Sequence, residues 1–259
     1  MIVYPRAKVN IGLRIIGKRS DGFHDLETFF ISAGKSDILE VTESTTLIMN
    51  QYGIALDSEP LGNLCVKAYE VMKSEYGIPP VEINLFKRIP FGAGLGGGSS
   101  DAAGTITAID KLFKLNQTQA KLAELASRVG SDCAFFIYSE NLNPEKGEGM
   151  TGKGRGDKLK HFKIPQLSSY EIRIVVPDIH ISTPEAYRGV IPSGIGDSIE
   201  DLLQKPVIEW RESVVNDFEY HIFRKHPKIK EIKEQLYEEG AHYASMSGSG
   251  SAVFGLFPR

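Results

Sequence analysis

Pro90-Phe91-Gly92-Ala93-Gly94-Leu95-Gly96-Gly97-Gly98-Ser99-Ser100-Asp101 is the stretch from which the rest of the chain can be read. Glycines this dense let backbone amides come close together and point at one anion, because no side chain intervenes. Before it stands Val81-Glu82-Ile83-Asn84-Leu85, whose clean alternation predicts a strand. After it a helix is expected to begin at Ser99 or Ser100, with Ala102, Ala103, Ile106, Ile109 and Phe113 on one face. The unpaired amides and positive end of that helix add to the anion cradle. Ser99 and Ser100 are placed to cap it, or to reach a phosphate or a magnesium ion. The stretch predicts phosphate binding without naming the phosphate's owner.

Three familiar phosphate loops do not fit. Gly92 to Gly97 satisfies the dinucleotide pattern G-x-G-x-x-G, but Lys87-Arg88-Ile89-Pro90 separates it from the strand and no clear βαβ unit surrounds it. A P-loop requires a lysine after its last glycine, and none stands there. A protein-kinase glycine loop would place valine where this chain has Ser99, and neither HRD nor DFG occurs. A tight structural turn alone would not require glycine at this density.

Working outward, the 259 residues are 41% hydrophobic and 24% charged, enough for one large domain or two modest ones with a core that needs no disulfide or metal. A net charge of −3 gives no basic face that would call for nucleic acid. Cys65 and Cys133 lie far apart in apolar surroundings and read as buried free thiols of a reducing compartment. No Cys and His cluster suggests a metal site. Arg6 and Lys8 interrupt the N-terminus where a signal peptide needs its apolar run, and no stretch is long enough to span a bilayer. The expectation is a cytoplasmic protein without nucleic-acid or membrane partners.

Val9, Ile11, Leu13 and Ile15 have strand periodicity, followed by a polar turn over residues 18–22 and an apolar run over 23–31. Residues 37–42 read as a strand. Leu64, Ala68, Val71 and Met72 form a helical stripe that should stop near Gly77. A helix is expected over 118–129, a polar loop or boundary over 141–157, and a strand over 171–176. Helices are expected over 209–224 and 227–239, and an apolar segment closes the chain over 252–257. Strands mixed with helices without regular alternation favour an α+β fold over a doubly wound sheet.

The loop and the helix after it resemble the phosphate loop of the GHMP kinase superfamily, which includes galactokinase, homoserine kinase and mevalonate kinase. Three other stretches resemble it in the same order: Ala7-Lys8-Val9-Asn10-Ile11-Gly12-Leu13 with Asp21-Gly22-Phe23-His24; Gly130-Ser131-Asp132-Cys133-Ala134-Phe135-Phe136; and Asn216-Asp217-Phe218-Glu219 with Met246-Ser247-Gly248-Ser249-Gly250-Ser251. The likeness is strongest to members that phosphorylate a cytidyl-bearing polyol in the non-mevalonate route to isoprenoid precursors. It implies a two-domain α+β GHMP kinase fold. A ribosomal protein S5 domain 2-like N-terminal domain over 1–158 would bind ATP, and a ferredoxin-like C-terminal domain over 159–259 would close the cleft. It also implies magnesium with the nucleotide, a small cytidyl substrate, and a monomer or weak homodimer.

Asp132, after a helix end and before an apolar run, is the candidate base; on its residues alone it is equally an aspartate capping a turn. Lys8 would by itself read as a solvated lysine on the polar face of a strand. The resemblance instead implies a catalytic lysine that keeps Asp132 ionised or stabilises the transferring phosphoryl group. It further implies that Asn10 hydrogen-bonds substrate and that His24, otherwise a structural histidine, recognises the cytosine edge. Phe23 replaces the more usual tyrosine, which keeps a stacking face and loses the phenol. Tyr187 is either the opposite wall of that base or a core aromatic.

Asn63 and Leu64 lie where the family binds adenine, although Leu64 is also simply core. Pro90 through Ser100 would hold the phosphates, and residues 247–251 would shape the floor beneath them or permit a close strand approach. Two segments depart from the pattern. Residues 141–153 are longer than the usual link, with Asp157 where glutamate is common, and residues 189–205 are abbreviated. Homoserine, mevalonate or a sugar is the rival substrate class, and the aromatic set argues against it. A nucleotide-binding module without activity would be expected to lack Lys8 or Asp132; both are present.

Overall fold

The computed structural model describes residues 1–54, 62–192 and 196–259. It divides into two compact units that interleave along the chain rather than meeting at one cut. The first comprises Met1–Ala7, Lys35–Phe91 and Gly96–Asn141. The second comprises Lys8–Gly34, Gly92–Leu95 and Leu142–Arg259. Strands and helices below are numbered along the whole chain.

In the first unit, β1 (Ile2–Val3), β4 (Ile38–Glu43), β6 (Val81–Lys87) and β5 (Ile48–Gly53) form a sheet in that spatial order. β5 runs parallel to β6 and the other pairs are antiparallel. The alternation expected of 81–85 is realised: Val81, Ile83 and Leu85 are buried, and Glu82 and Asn84 are half-buried. Four helices belong here, α1 (Leu64–Tyr76), α2 (Gly97–Leu112), α3 (Gln119–Ser127) and α4 (Cys133–Ser139). α1 follows its stripe, burying Cys65, Ala68, Tyr69 and Met72. Asn63 caps its start by accepting from the Cys65 amide, and left-handed Gly77 ends it. α2 packs against α1, α4 and β4, burying Ala102, Ala103, Ile106 and Ile109 as expected.

α2 corrects one expectation. It starts at Gly97, not at Ser99 or Ser100, and its cap is Gly96 at φ 70° with no side-chain capping bond. Neither serine caps it; both sit inside the first turn. The reason is conformational, because the left-handed cap is open to glycine at little cost.

In the second unit, β2 (Arg6–Lys18, from Lys8 onward), β3 (His24–Ser36), β7 (Glu148–Gly154) and β8 (Lys158–Lys163) form one sheet in that order. β9 (Tyr170–Val175), β10 (Tyr243–Met246) and β11 (Val253–Pro258) form an antiparallel sheet in the order β10-β11-β9. The helices are α5 (Thr183–Arg188), α6 (Ile199–Leu202), α7 (Trp210–Ser213), α8 (Glu219–Lys225) and α9 (Pro227–Glu238). One core cluster joins Leu13 and Ile15 of β2, Ile222 of α8, Ile229 and Leu236 of α9, and Met246 and Val253 of the small sheet.

Two further expectations change here. The polar segment 141–157 contains a paired strand, β7. Its glycines misled because they serve close packing. A Cβ on Gly149 would stand 2.3 Å from the Phe30 carbonyl oxygen, and one on Gly152 would stand 2.6 Å from the Phe30 ring. The helix expected over 209–224 breaks into α7 and α8. Between them the chain pairs with β2, Leu13 donating to the Val215 carbonyl and Asp217 to the Leu13 carbonyl. The Asp217 carboxylate also accepts from the Ile15 amide at 2.7 Å. Of the abbreviated segment 189–205, residues 193–195 lie outside the described ones.

Candidate active site

In the first unit the site is built on the head of α2. Gly96 opens the helix without a side-chain cap, so its first amides have no side-chain acceptor to compete with an anion. Leu64 and Phe91 flank this turn, 3.3 and 3.8 Å from the place a Cβ on Gly98 would occupy. Phe91 is 61% exposed. Asn63, the residue before Leu64, also donates its carboxamide to Gln51 at 3.3 Å. Ser100 is buried and Ser99 is half-buried.

Beneath this turn lies an ion triad that the sequence reading passed over. Lys87, Asp37 and Asp101 have side chains 1%, 0% and 3% exposed. The Lys87 ammonium donates to Asp37 and, at 2.7 Å, to Asp101 Oδ2. The other oxygen of Asp101 is buried and makes no hydrogen bond. Burial pushes the Asp101 carboxyl well above the usual carboxylate range, against the pull of Lys87. Burial alone would lower the Lys87 ammonium, but Asp101 and Asp37 outweigh it and hold the group above its ordinary value. Lys87 stood in the sequence only as part of the spacer after the strand, and its register on β6 was the available signal.

Asp132 immediately precedes α4, yet its side chain makes no capping hydrogen bond. It is half-buried and accepts from the Ser131 hydroxyl at 3.3 Å. Burial pushes the neighbouring Cys133 thiol up to about 12, and the Cys65 thiol is raised by burial as well. Neither cysteine supplies a thiolate nucleophile near neutral pH.

In the second unit Lys8 is 3% exposed, which removes the solvated reading. β2 is buried on both faces here, so its alternation does not mark an outward side. Lys8 Nζ donates to Asn10 Oδ1 at 2.5 Å and to the Gly94 carbonyl at 2.8 Å. Asn10 Nδ2 donates in turn to Thr28 at 3.0 Å, and the Thr28 hydroxyl to the Gly12 carbonyl at 2.6 Å. Asn10, expected to bond substrate, thus has both ends of its amide engaged by Lys8 and Thr28.

The Ser247 hydroxyl also donates to Gly94, at 2.9 Å, while the amides of Ala252 and Lys8 donate to the carbonyls of Ala93 and Leu95. Three consecutive loop carbonyls, which would repel an anion, are therefore turned into the protein. Residues 247–248 underlie Lys8: a Cβ on Gly248 would stand 3.3 Å from its ammonium. Asn216 fixes that floor with bonds of 2.8 Å to the Met246 and Gly248 carbonyls. Thr28 and Asn216 carried no role in the sequence reading, whereas Ser247 belonged to the segment 247–251 expected to shape the floor; for Asn216 the signal was its motif.

The aromatic set also lies in this unit. Phe23 is 54% exposed on a turn held by Arg19, which bonds both Asp21 and Asp25. The Phe23 amide donates to Asp21 at 3.1 Å, and the Arg155 guanidinium lies 5.1 Å over its ring. His24 stacks on Tyr187, with centroids 5.0 Å apart and planes at 28°. Tyr187 meets Phe218 edge-on at 4.8 Å. His24 covers one face of Tyr187, and Tyr187 also packs against the core cluster of this unit.

Comparison with known proteins adds to these two clusters. The GHMP kinases N terminal domain matches residues 63–140 and the GHMP kinases C terminal domain matches residues 198–259. The 4-diphosphocytidyl-2-C-methyl-D-erythritol kinase of Cytophaga hutchinsonii is 43% identical over 257 residues, covering 99% of this chain and 92% of that one. The protein of the same name from Bacteroides thetaiotaomicron is 44% identical over 261 residues, covering 99% and 92%. A crystal structure of 4-(cytidine 5'-diphospho)-2C-methyl-D-erythritol kinase superposes with a TM-score of 0.78 at 32% identity, covering 99% of this chain and 90% of that one. A mevalonate kinase structure matches at TM-score 0.68 and 17% identity, a likeness of fold alone. The chain belongs to the GHMP kinases and, within them, to the family of the 4-diphosphocytidyl-2-C-methyl-D-erythritol kinases. Its α+β fold is the GHMP kinase fold, with N-terminal and C-terminal domains.

Proposed function

We propose that the chain transfers the γ-phosphoryl group of ATP to the 2-hydroxyl of 4-diphosphocytidyl-2-C-methyl-D-erythritol, in the non-mevalonate route to isoprenoid precursors. The observation that carries this reading is the 43% identity, over 99% of the chain, to a relative of that name. The matching structures of kinases for the rival substrates (homoserine, mevalonate or a sugar) are 18% identical or less, a likeness of fold alone.

The hydroxyl oxygen of the substrate attacks the γ-phosphorus, its proton passes to the Asp132 carboxylate, and ADP leaves. What supports Asp132 is a half-buried carboxylate not spent as a helix cap. Lys8 stabilises the charge of the transferring group, and what supports it is a buried ammonium held by Asn10 and Gly94. In this reading Asn10 orients Lys8 as well as facing substrate. The amides from Pro90 to Ser100 take the phosphates, and Asn63 and Leu64 meet adenine. Phe23 stacks on the cytosine and His24 reads its edge. Tyr187, on which His24 stacks, is the proposed opposite wall of the base.

Among the described residues no group of three or more His, Cys, Asp or Glu side chains could hold a metal ion. Magnesium in phosphoryl transfer is held largely by phosphates and water with one or two protein oxygens, so hydroxyls on the first turn of α2 fit it without a cage. Ser99 or Ser100 would hold it there, and when bound it supplies charge neutralisation between the phosphates. Among the described residues no helix is long and apolar enough to cross a membrane. The proposal places the enzyme in the cytoplasm, as a monomer or weak homodimer.

The test is ADP release across a substrate panel. Turnover should depend on the cytidyl substrate, and equal turnover with homoserine or mevalonate would overturn the assignment.

A further inference from the structure

The interior triad takes no part in the reaction just described, yet its hydrogen bonds all converge on the stems of the phosphate loop. Lys87 closes β6, and the chain leaves for the loop from there. Arg88 and Ile89 follow, and both donate their amides to Asp37 Oδ1, at 2.5 and 2.8 Å. Asp37 lies immediately before β4, outside the loop. Beyond the loop, Asp101 sits on α2 just after Ser99-Ser100 and accepts from Lys87 at 2.7 Å. One carboxylate therefore holds the leading stem through three donors, and one ammonium ties that stem to the trailing one. The lysine head also supports the first residue of α2, since a Cβ on Gly97 would stand 3.2 Å from Nζ.

Stability alone is a poor reason for three interior charges, because well-packed apolar residues commonly do as well or better. Geometry is a better one. A glycine-rich loop loses more backbone freedom than any other when it orders around a ligand. Fixing both stems beforehand reduces that loss, so more of the contact energy appears as affinity. We propose that Asp37, Lys87 and Asp101 are positioning residues that clamp the two stems of the phosphate loop and thereby set the amides at the head of α2 for the triphosphate of ATP. The clamp rests on the reading of the chain as an ATP-dependent kinase.

The experiment measures calorimetric binding of a non-hydrolysable ATP analogue, KM for each substrate, and the melting temperature, on full-length variants. K87M should weaken analogue binding about tenfold or more and raise KM for ATP in parallel, with KM for the cytidyl substrate unchanged within about twofold. D101A should weaken the analogue about fivefold, and D101N should recover most of that, because its amide keeps an oxygen for Lys87. A structural role alone would lower the melting temperature and the active fraction while the folded fraction kept its nucleotide affinity. Folded K87M and D101A that bind the analogue like the parent would overturn the clamp; if K87M does not fold, D101A against D101N decides. A parent protein that binds the analogue but does not turn over the cytidyl substrate would overturn the substrate assignment, leaving the clamp to stand or fall on the same binding data. A parent that fails to bind the analogue would overturn both.

Discussion

The head of α2 and the turn that carries Phe23 both organise charge around a proposed ligand site, and they do it in opposite ways. At α2 the ions are interior: Lys87, Asp37 and Asp101 are at most 3% exposed, and Asp37 ties them to the backbone amides of Arg88 and Ile89. At the Phe23 turn they are at the surface, where Arg19, Asp21 and Asp25 are 37–47% exposed and Arg155 covers an outward ring. Interior charges escape screening and are costly to move, which suits a cradle for the same triphosphate at every turnover. Surface charges are screened and mobile, which suits a platform that must admit and release a base. Under the proposed function, the difference teaches that this chain spends rigidity on the nucleotide and adaptability on its second substrate.

The largest test of that division is D132N. Turnover should fall by about a hundredfold or more while ATP-analogue binding stays within about threefold, since the carboxylate accepts a proton and does not build the cradle. Single-turnover kinetics and calorimetry check it, and a fully active variant would remove Asp132 from the mechanism. H24A comes next. Here KM for the cytidyl substrate should rise about tenfold with KM for ATP unchanged, as expected for loss of one polar contact and a stacked ring. Parallel rises in both constants would break the separation between the two regions.

G97A should act in the other direction. Its Cβ would meet Ile89 at 3.0 Å and Lys87 at 3.2 Å, so a shift of a few tenths of an ångström is forced into the clamp. ATP binding should weaken about three- to tenfold with the cytidyl KM unaffected, by the same preorganisation argument. The smallest effect belongs to Glu185, on the same helix as Tyr187. Lys225 and then His226 lower its carboxyl from 4.5 to about 2. A depressed folded pKa adds stability above the unfolded value, and that stability is lost as pH falls from about 4.5 toward 2. Because the pair is at the surface, E185Q should lower the melting temperature by a few degrees at most at pH 7, and by less at pH 3. A larger loss at pH 3 than at pH 7 would reverse the sign and discard the ion pair as the cause.

Much of the fold was legible because burial left periodic marks. The α1 stripe, the alternation of 81–85 and the apolar face of α2 each report a surface meeting a core. Legibility failed where a residue type served two ends. Glycines in β7 allow close approach to Phe29 and Phe30 and read as loop. Asn216 and Asp217 interrupt a helical pattern in order to pair with β2. Among site residues, the loop, Lys8 and Asp132 were visible as motifs. Asn216 and Asp101 lay inside motifs that gave them no role, and Thr28, Asp37 and Lys87 lay in none, since each acts only through a partner many positions away.

By itself the sequence determined the glycine-rich loop proposed to bind phosphate, because glycine's missing side chain is a property of each residue and needs no neighbour. It also determined the order of motifs that marks the family. Tertiary structure decided the rest. It buried Lys8, whose alternating strand had suggested water, and engaged Asn10 at both ends. It began α2 at Gly97, two residues ahead of Ser99, and set three interior charges beneath that turn. Burial and hydrogen-bond partnership depend on which distant segments meet, and local sequence does not record that meeting.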